Sequence, residues 1–280
     1  MKAARFDYLR AESLEHALGA LETKGSDVKV MAGSQSLGPM LNLRLARPKH
    51  VIDISGLSAL RTVAIEGSFL RIGAAITHAE IEDGVFEPLR GHPWQSVASA
   101  IAYRSVRNRG TIGGSIAHAD PAADWVLAAT AMNAEIEIAS KHTTHRVPMD
   151  RFMQAAYTTA LSEQEIITSI HIPLMSDQAR WGYFKFCRKI GEFAEASCAV
   201  YFDASNQAAN IVVGALSGAP RKLSTLARLV AHEGWPLSSR ESVAEHVSKS
   251  LDSLDALDQK MLVTVISRCL DRAFNVKVSA

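Results

Sequence analysis

The sequence predicts an α+β protein of two mixed N-terminal units and a smaller C-terminal one, on three observations. Short strand patterns alternate with short helical patterns through the first 173 residues, punctuated by Gly and Pro. From Arg180 the texture changes to strands first and helices last, the mark of a separate α+β unit. Finally, 48% apolar residues in a 280-residue chain with a formal net charge of +1 supply cores for two or three compact units.

The elements follow in order. Ser13 caps an amphipathic helix to Glu22 with Leu14, Ala17, Leu18 and Leu21 on one face, and Gly25 ends it. Val28-Lys-Val30 is a short strand that runs into the loop Ala32-Gly-Ser-Gln-Ser36. Leu37 to Leu45 reads as helix and Val51 to Ile54 as strand, closed by Ser55-Gly56. Thr62–Ile65 and Phe69–Ile72 flank a hairpin turn, and Thr77 with Glu80 forms a capping-box pattern. A helix over Pro93 to Ala102 precedes a Gly-rich stretch from Arg107 to Pro121, read as loop. Then come a helix over Ala122 to Met132 and strands at Ala134–Ile138, His145–Val147 and Ile166–Ile172. In the last unit, strands at Trp181–Phe186, Ala196–Asp203 and Ala209–Leu216 are broken at Gly191 and at Ser205-Asn206. Helices follow over Lys222–His232, Arg240–Lys249 and Ala256–Phe274.

Several function classes are excluded. The balanced charge gives no reason to expect nucleic acid or an anionic membrane as partner. The first 22 residues carry charges throughout, which predicts neither signal peptide nor anchor, and no stretch approaches the roughly 18 apolar residues of a span. The expected location is the cytoplasm. Cys187, Cys198 and Cys269 are widely spaced and read as core thiols, so an iron–sulfur cluster, which needs about four such ligands, is not expected in this chain. There is no GxGxxG after the first strand and no GxxxxGK[ST]. His142 and His145 sit where an exposed hairpin turn is expected, and His118 and Asp120 read as loop-fixing residues.

The chemical signal is the pair of Gly/Ser loops. Glycine lets backbone approach a ligand closely, and consecutive N–H groups make an anion-binding concavity. Ser34, Ser36, Thr111 and Ser115 add hydroxyls for phosphate or sugar oxygens. On their own these loops imply only a phosphate-bearing cofactor, and either one alone could be a tight turn.

Val30-Met-Ala-Gly-Ser-Gln-Ser-Leu-Gly-Pro39 with Asn42-Leu-Arg44, and Arg107-Asn-Arg-Gly-Thr-Ile-Gly-Gly-Ser-Ile-Ala-His-Ala-Asp-Pro-Ala-Ala-Asp124, resemble the two FAD motifs of the medium subunit of the carbon monoxide dehydrogenase / xanthine dehydrogenase (molybdenum hydroxylase) family. The resemblance implies a two-subdomain FAD-binding fold of the vanillyl-alcohol-oxidase (PCMH) type, with subdomains at 1–56 and 57–175, and a C-terminal α+β domain at 176–280. It implies non-covalent FAD held by Val30, Met31, Ala32, Gly33, Ser34, Gln35, Ser36 and Leu37 from one side. Thr111, Ile112, Gly113, Gly114 and Ser115 hold it from the other. Gln35 stands where related oxidases often carry a flavin-linked His. Asp124 matches a carboxylate that accepts from a flavin-side hydroxyl; its other reading is charge compensation at a helix N-terminus. Ile101 and Ile167 match apolar cofactor-lining positions and read equally as core. Lys185 matches a lysine beside the isoalloxazine, where a cation raises the flavin's potential; its other reading is a solvated strand lysine. Arg188-Lys-Ile-Gly-Glu-Phe193 resembles the family's turn over the ring, with Glu192 for Asp and Phe193 for Tyr or Trp. Ser34 replaces a second glycine, a tolerable change if its φ is negative.

As the family works, this chain takes electrons from a small 2Fe-2S subunit served by a large molybdenum-cofactor subunit. It passes them to an external acceptor within a dimer of heterotrimers, a heterohexamer. The substrate (carbon monoxide, an aldehyde, a purine or another N-heterocycle) and the acceptor stay open. Two alternatives are a free-standing oxidase of the vanillyl-alcohol-oxidase type and a scaffold subunit without flavin. The roughly 100 residues after Pro173 are small for the first, and the intact second motif opposes the second.

Overall fold

The computed structural model describes residues 2–205, 207–235 and 240–275. Asn206, read above as part of a turn, lies outside the described residues. The first unit runs β1 (Asp7–Arg10), α1 (Leu14–Lys24), β2 (Val28–Met31), α2 (Leu37–Asn42) and β3 (His50–Asp53). Its three strands form a parallel sheet in the order β1-β3-β2. The Ser13 side chain accepts from the His16 N–H at 3.0 Å and caps α1, while Gly25, at φ 67°, ends it. Ala17, Leu18, Ala20 and Leu21 bury the inner face of α1. They share a core with Ala75, Ala139 and Ile166, which lie beyond residue 56. β1 escaped the sequence reading because four residues with one exposed aromatic carry little alternation.

The second unit contains β4 (Val63–Glu66), β5 (Phe69–Gly73), α3 (His78–Glu82), α4 (Trp94–Ser99), α5 (Arg104–Arg107), α6 (Ile112–His118) and α7 (Asp124–Ala131). It continues with β6 (Glu135–Ala139), β7 (Thr144–Pro148), α8 (Met149–Phe152), the small ribbon of β8 (Met153–Ala155) and β9 (Thr158–Thr159), and β10 (Ile166–Pro173). The main sheet is antiparallel, in the order β4-β5-β10-β6-β7. The Thr77–Glu80 capping box forms as read, with the Thr77 N–H donating to Glu80 Oε2 at 2.9 Å. The Gly-rich stretch corrects the sequence reading: Thr111 accepts from the Gly114 N–H and starts α6, so Gly113, Gly114 and Ser115 are helical. The short helix α5 lies just before this stretch, where the sequence pattern predicts no element.

The third unit is a meander, β11 (Ala179–Phe186), β12 (Ala196–Asp203), β13 (Ala208–Gly214) and β14 (Arg221–Lys222), backed by α9 (Ser224–Glu233), α10 (Arg240–Ser250) and α11 (Ala256–Ala273). Strand alternation sends Cys198, Val200, Ile211 and Val213 toward the helices. The cross-strand row Tyr183, Ala199 and Val212 faces the other way and joins the core of the second unit. What it meets is α7. All eight residues of that helix are buried, so it is apolar nearly all round, and its Thr130 hydroxyl donates to the Val126 carbonyl at 2.7 Å. No helix among the described residues is long and apolar enough to cross a membrane.

Candidate cofactor site

The first loop leaves the end of β2, where the Ile54 N–H donates to the Met31 carbonyl at 2.9 Å. Val30 and Ala32 pack partly against the core of the first unit. Gln35 Nε2 donates to the Gly33 carbonyl at 3.0 Å, and the Gly38 N–H donates to the Ser34 carbonyl at 3.0 Å, which folds the loop back on itself. Ser34 sits at φ 60°. The condition of a negative φ, on which the change from glycine is free of strain, is therefore not met. The loop needs a left-handed residue there, and Ser in place of Gly costs about 1 kcal/mol. The result is chemically useful: the backbone N–H groups of residues 33 to 37 donate to no acceptor among the described residues. Five consecutive amides without internal acceptors, ending at the first turn of α2 and flanked by Ser34 and Ser36, are donors that a bound anion can satisfy.

The second loop presses directly on the first. A Cβ built at Gly33 would collide with the Arg109 carbonyl oxygen and lie 2.8 Å from the Gly110 Cα, so only glycine permits this contact. Bonds from the His78 N–H to the Gly110 carbonyl (2.9 Å) and from the Ile112 N–H to the Ile76 carbonyl (3.0 Å) anchor the loop from behind. His78 is buried, and its Nδ1 accepts from Trp125 Nε1 at 3.0 Å. Burial, with Arg107 nearby, pushes its pKa down to about 3, so the ring stays neutral. Here the expectation of a second amide concavity fails. The N–H groups of Gly113, Gly114 and Ser115 donate to the Ala74 carbonyl, the Thr111 hydroxyl and the Thr111 carbonyl. Thr111, Ile112 and Gly113 are buried, and the surface offered is Gly114 with part of Ser115.

A third group lies where α7 meets β11. Asp124 opens α7 and is buried; Lys185 Nζ donates to its Oδ1 at 2.9 Å, and the Tyr183 hydroxyl donates to the same oxygen. The Lys185 side chain is only 10% exposed, so it is not a solvated strand lysine. Its charge is largely answered by Asp124. Burial, then the Asp124 charge, pushes the Tyr183 hydroxyl well above the usual tyrosine range and keeps it a donor. Asp124 Oδ2 accepts from none of the described residues. Beside this group opens a cleft of about 470 Å³ lined by Ser96, Ser99 and Ala100 of α4, Trp181, Tyr183 and Lys185 of β11, and Arg272 of α11. Trp181 Nε1 is buried there without an acceptor among the described residues.

The remaining expected residues stand apart from these clusters. Ile167 is buried in the core of the second unit, and Ile101 packs partly against the same core. Phe193 is 64% exposed on a turn whose Gly191, at φ 91°, packs on Tyr103. His142 pairs with Glu22 on the surface, and no group of three or more metal-ligating side chains occurs among the described residues. Asp120 fixes its loop, accepting from the Ala122 N–H at 2.9 Å and the Tyr157 hydroxyl at 3.1 Å. Sequence reasoning missed Tyr183, although Tyr-x-Lys spacing puts Tyr183 and Lys185 on one face of a strand. It also missed Arg107, which binds Glu82 at 2.8 and 3.0 Å and the carbonyls of Ile101 and Ala102 at 2.9 and 3.1 Å. No local pattern links residues 82 and 107.

Unpaired amides, a hydroxyl-bearing neighbour and a cleft with orphan polar atoms on a fold of mixed α and β layers suit a protein that holds a phosphate-bearing cofactor. Comparison with known proteins narrows the class. Residues 4–175 match the family described as FAD binding domain in molybdopterin dehydrogenase. The carbon monoxide dehydrogenase medium chain of Hydrogenophaga pseudoflava is 36% identical over 220 residues, 78% of this chain and 77% of that one. The nicotine 6-hydroxylase medium subunit of Paenarthrobacter nicotinovorans is 35% identical over 226 residues, 80% and 78% of the two chains. A solved structure of the Hydrogenophaga pseudoflava carbon monoxide dehydrogenase lacking the Mo-pyranopterin moiety superposes with a TM-score of 0.90 at 29% identity, covering 98% of this chain and 99% of that one. The chain belongs to this family of FAD-binding domains of molybdopterin dehydrogenases, and its reaction class is oxidoreduction.

Proposed function

We propose that the chain is the flavin subunit of a molybdenum-containing dehydrogenase complex, holding one non-covalent FAD on the electron path from an iron–sulfur donor to an external acceptor. The observation that carries this is the run of open amides at residues 33–37 pressed against the second loop through Gly33. A diphosphate fits that cradle. Ala32 to Ser36 would hold it from one side and the exposed edge at Gly114 and Ser115 from the other, with Thr111 and Ile112 fixing that edge from beneath. Val30, Met31 and Leu37 frame the first loop. Gln35 is engaged with the Gly33 carbonyl and offers no nucleophile to a flavin. At the ring end Asp124 Oδ2 would accept a hydroxyl of the cofactor, and Lys185 would lie beside the ring. Ile101 and Ile167 would supply apolar backing, and Phe193 would cover the ring's open side by a movement of its exposed turn. When bound, FAD would supply the redox chemistry, taking single electrons and delivering pairs. The protein's part is to bind it, orient it and set the charge around it.

The relatives' names, which describe medium chains and medium subunits, support a multi-subunit assembly. A large molybdenum-cofactor subunit and a small 2Fe-2S subunit, arranged as a dimer of heterotrimers in the cytoplasm, complete the assembly. We place the unit boundaries at residues 56 and 175, supported by one main sheet in each unit, with α7 as the shared wall between the second and third units. The test is isolation from cells expressing the chain together with the proteins encoded beside it. The reading requires flavin absorption with molybdenum and iron in the same particle; a colourless chain migrating alone would overturn it.

A further inference from the structure

We propose that Tyr183 is a positioning residue for the flavin's polyol chain, acting through Asp124; the inference rests on the FAD reading above. The Tyr183 hydroxyl and Lys185 Nζ both donate to Asp124 Oδ1. Two donors on one oxygen fix the rotation of the carboxyl group. They leave Oδ2, which no described residue serves, as the oxygen available to a ligand. Asp124 begins the fully buried helix α7, and Tyr183 lies in the strand packed against it, so neither can move without disturbing a shared core. An ionised oxygen with open lone pairs selects a hydroxyl or N–H donor. Beside a cleft of ring size, the matching part of FAD is the hydroxyl-bearing ribityl chain next to the isoalloxazine.

The arrangement divides the labour. Lys185 supplies charge; its flexible stem would hold Asp124 at a range of rotations. Tyr183 is a rigid, buried phenol whose protonated state is secured by burial and by the carboxylate itself. Its backbone is held in turn by α11, since Arg272 Nη1 donates to the Tyr183 carbonyl at 2.8 Å and stacks over the neighbouring Phe184 ring. Removal of the phenolic oxygen leaves the packing of the aromatic ring in place and frees the carboxyl group to turn.

The test uses the full chain stripped of flavin and titrated, by flavin fluorescence, with two probes. One is FAD. The other is FAD whose ribityl chain is replaced by a hydroxyl-free pentamethylene chain. Tyr183→Phe should weaken FAD about tenfold, the loss of one indirectly supported charged hydrogen bond. The hydroxyl-free analogue should bind variant and wild type within about twofold of each other. Equal weakening toward both probes would mean that Tyr183 only supports the fold, and unchanged FAD affinity would mean that Asp124 needs no help; either result overturns the inference. On an Asp124→Asn background, Tyr183→Phe should add no further loss, and a full additional loss would break the route through Asp124. If the wild-type chain binds neither probe, the FAD reading itself fails, an outcome visible before any variant is measured.

Discussion

The two ends of the proposed cofactor site are built of different materials. The phosphate end is backbone: open amides at residues 33–37, held in place by a glycine contact with residues 109 and 110. The ring end is side chain: a carboxylate, a phenol and an ammonium from elements about sixty residues apart in sequence, gathered where two sheets share α7. Backbone sites fail through collision. Side-chain sites fail through loss of a partner. The two should therefore respond differently to substitution.

The sharpest test of the contrast is Gly33→Ala. The new Cβ meets fixed backbone, so the loops must part, at a cost of several kcal/mol and with loss of flavin. Flavin content and the thermal midpoint of the purified variant report both effects, and a variant that keeps full flavin would refute the loop contact as described. At the other end, Lys185→Met leaves a buried carboxylate with the Tyr183 donor alone. About 3 kcal/mol of stability should be lost, as when a buried pair is broken. The same pair makes an electrostatic prediction with opposed signs. Asp124→Asn unmasks the ammonium and should raise the potential of bound flavin, while Lys185→Met should lower it, each by on the order of tens of millivolts. Spectroelectrochemical titration reads the two signs; shifts in the same direction would remove Lys185 from the ring's surroundings.

The first motif was legible because its chemistry is local: glycine, serine and a strand end lie within ten residues. Its geometry was not. Serine gives no sequence signal for a left-handed φ, and only the fold around residues 33 to 38 forces Ser34 to 60°. The second motif was legible as a motif and misread as structure, since a glycine pair argues for loop while the Thr111 cap and the close approach of Gly113 to Ala74 build a helix. Asp124 and Lys185 were each picked singly, but their pairing depends on how the third sheet packs on α7, which no periodicity reveals. Tyr183 was within reach of simple strand alternation.

Two weaker effects separate the loops from each other. The second loop leans on neutral His78. The imidazole of the unfolded chain takes up a proton near pH 6.5, while the buried one resists until about 3, so this residue's contribution is complete above pH 6.5 and is lost as pH falls toward 3. Between pH 6.5 and 5 that loss is about 2 kcal/mol. His78→Gln should remove about half of this part of the acid slope in thermal or urea unfolding, leaving a share of similar size from His92, whose burial lowers its pKa to about 4. An unchanged slope would dissociate His78 from the support of the loop. In the first loop, Ser34→Gly relieves the left-handed strain but adds freedom to the unfolded chain. The net gain should be about 0.5 kcal/mol, seen as a slightly higher thermal midpoint, and a fall would show that the serine hydroxyl holds the loop.

The amides of residues 33–37, closed by Gly33, should hold FAD without a covalent bond. Acid precipitation of the purified full chain, with chromatography of what is released, tests it most directly. Close to one FAD per chain should be released, all of it into the supernatant. Flavin retained in the pellet, a flavin without its diphosphate, or no flavin at all would contradict it.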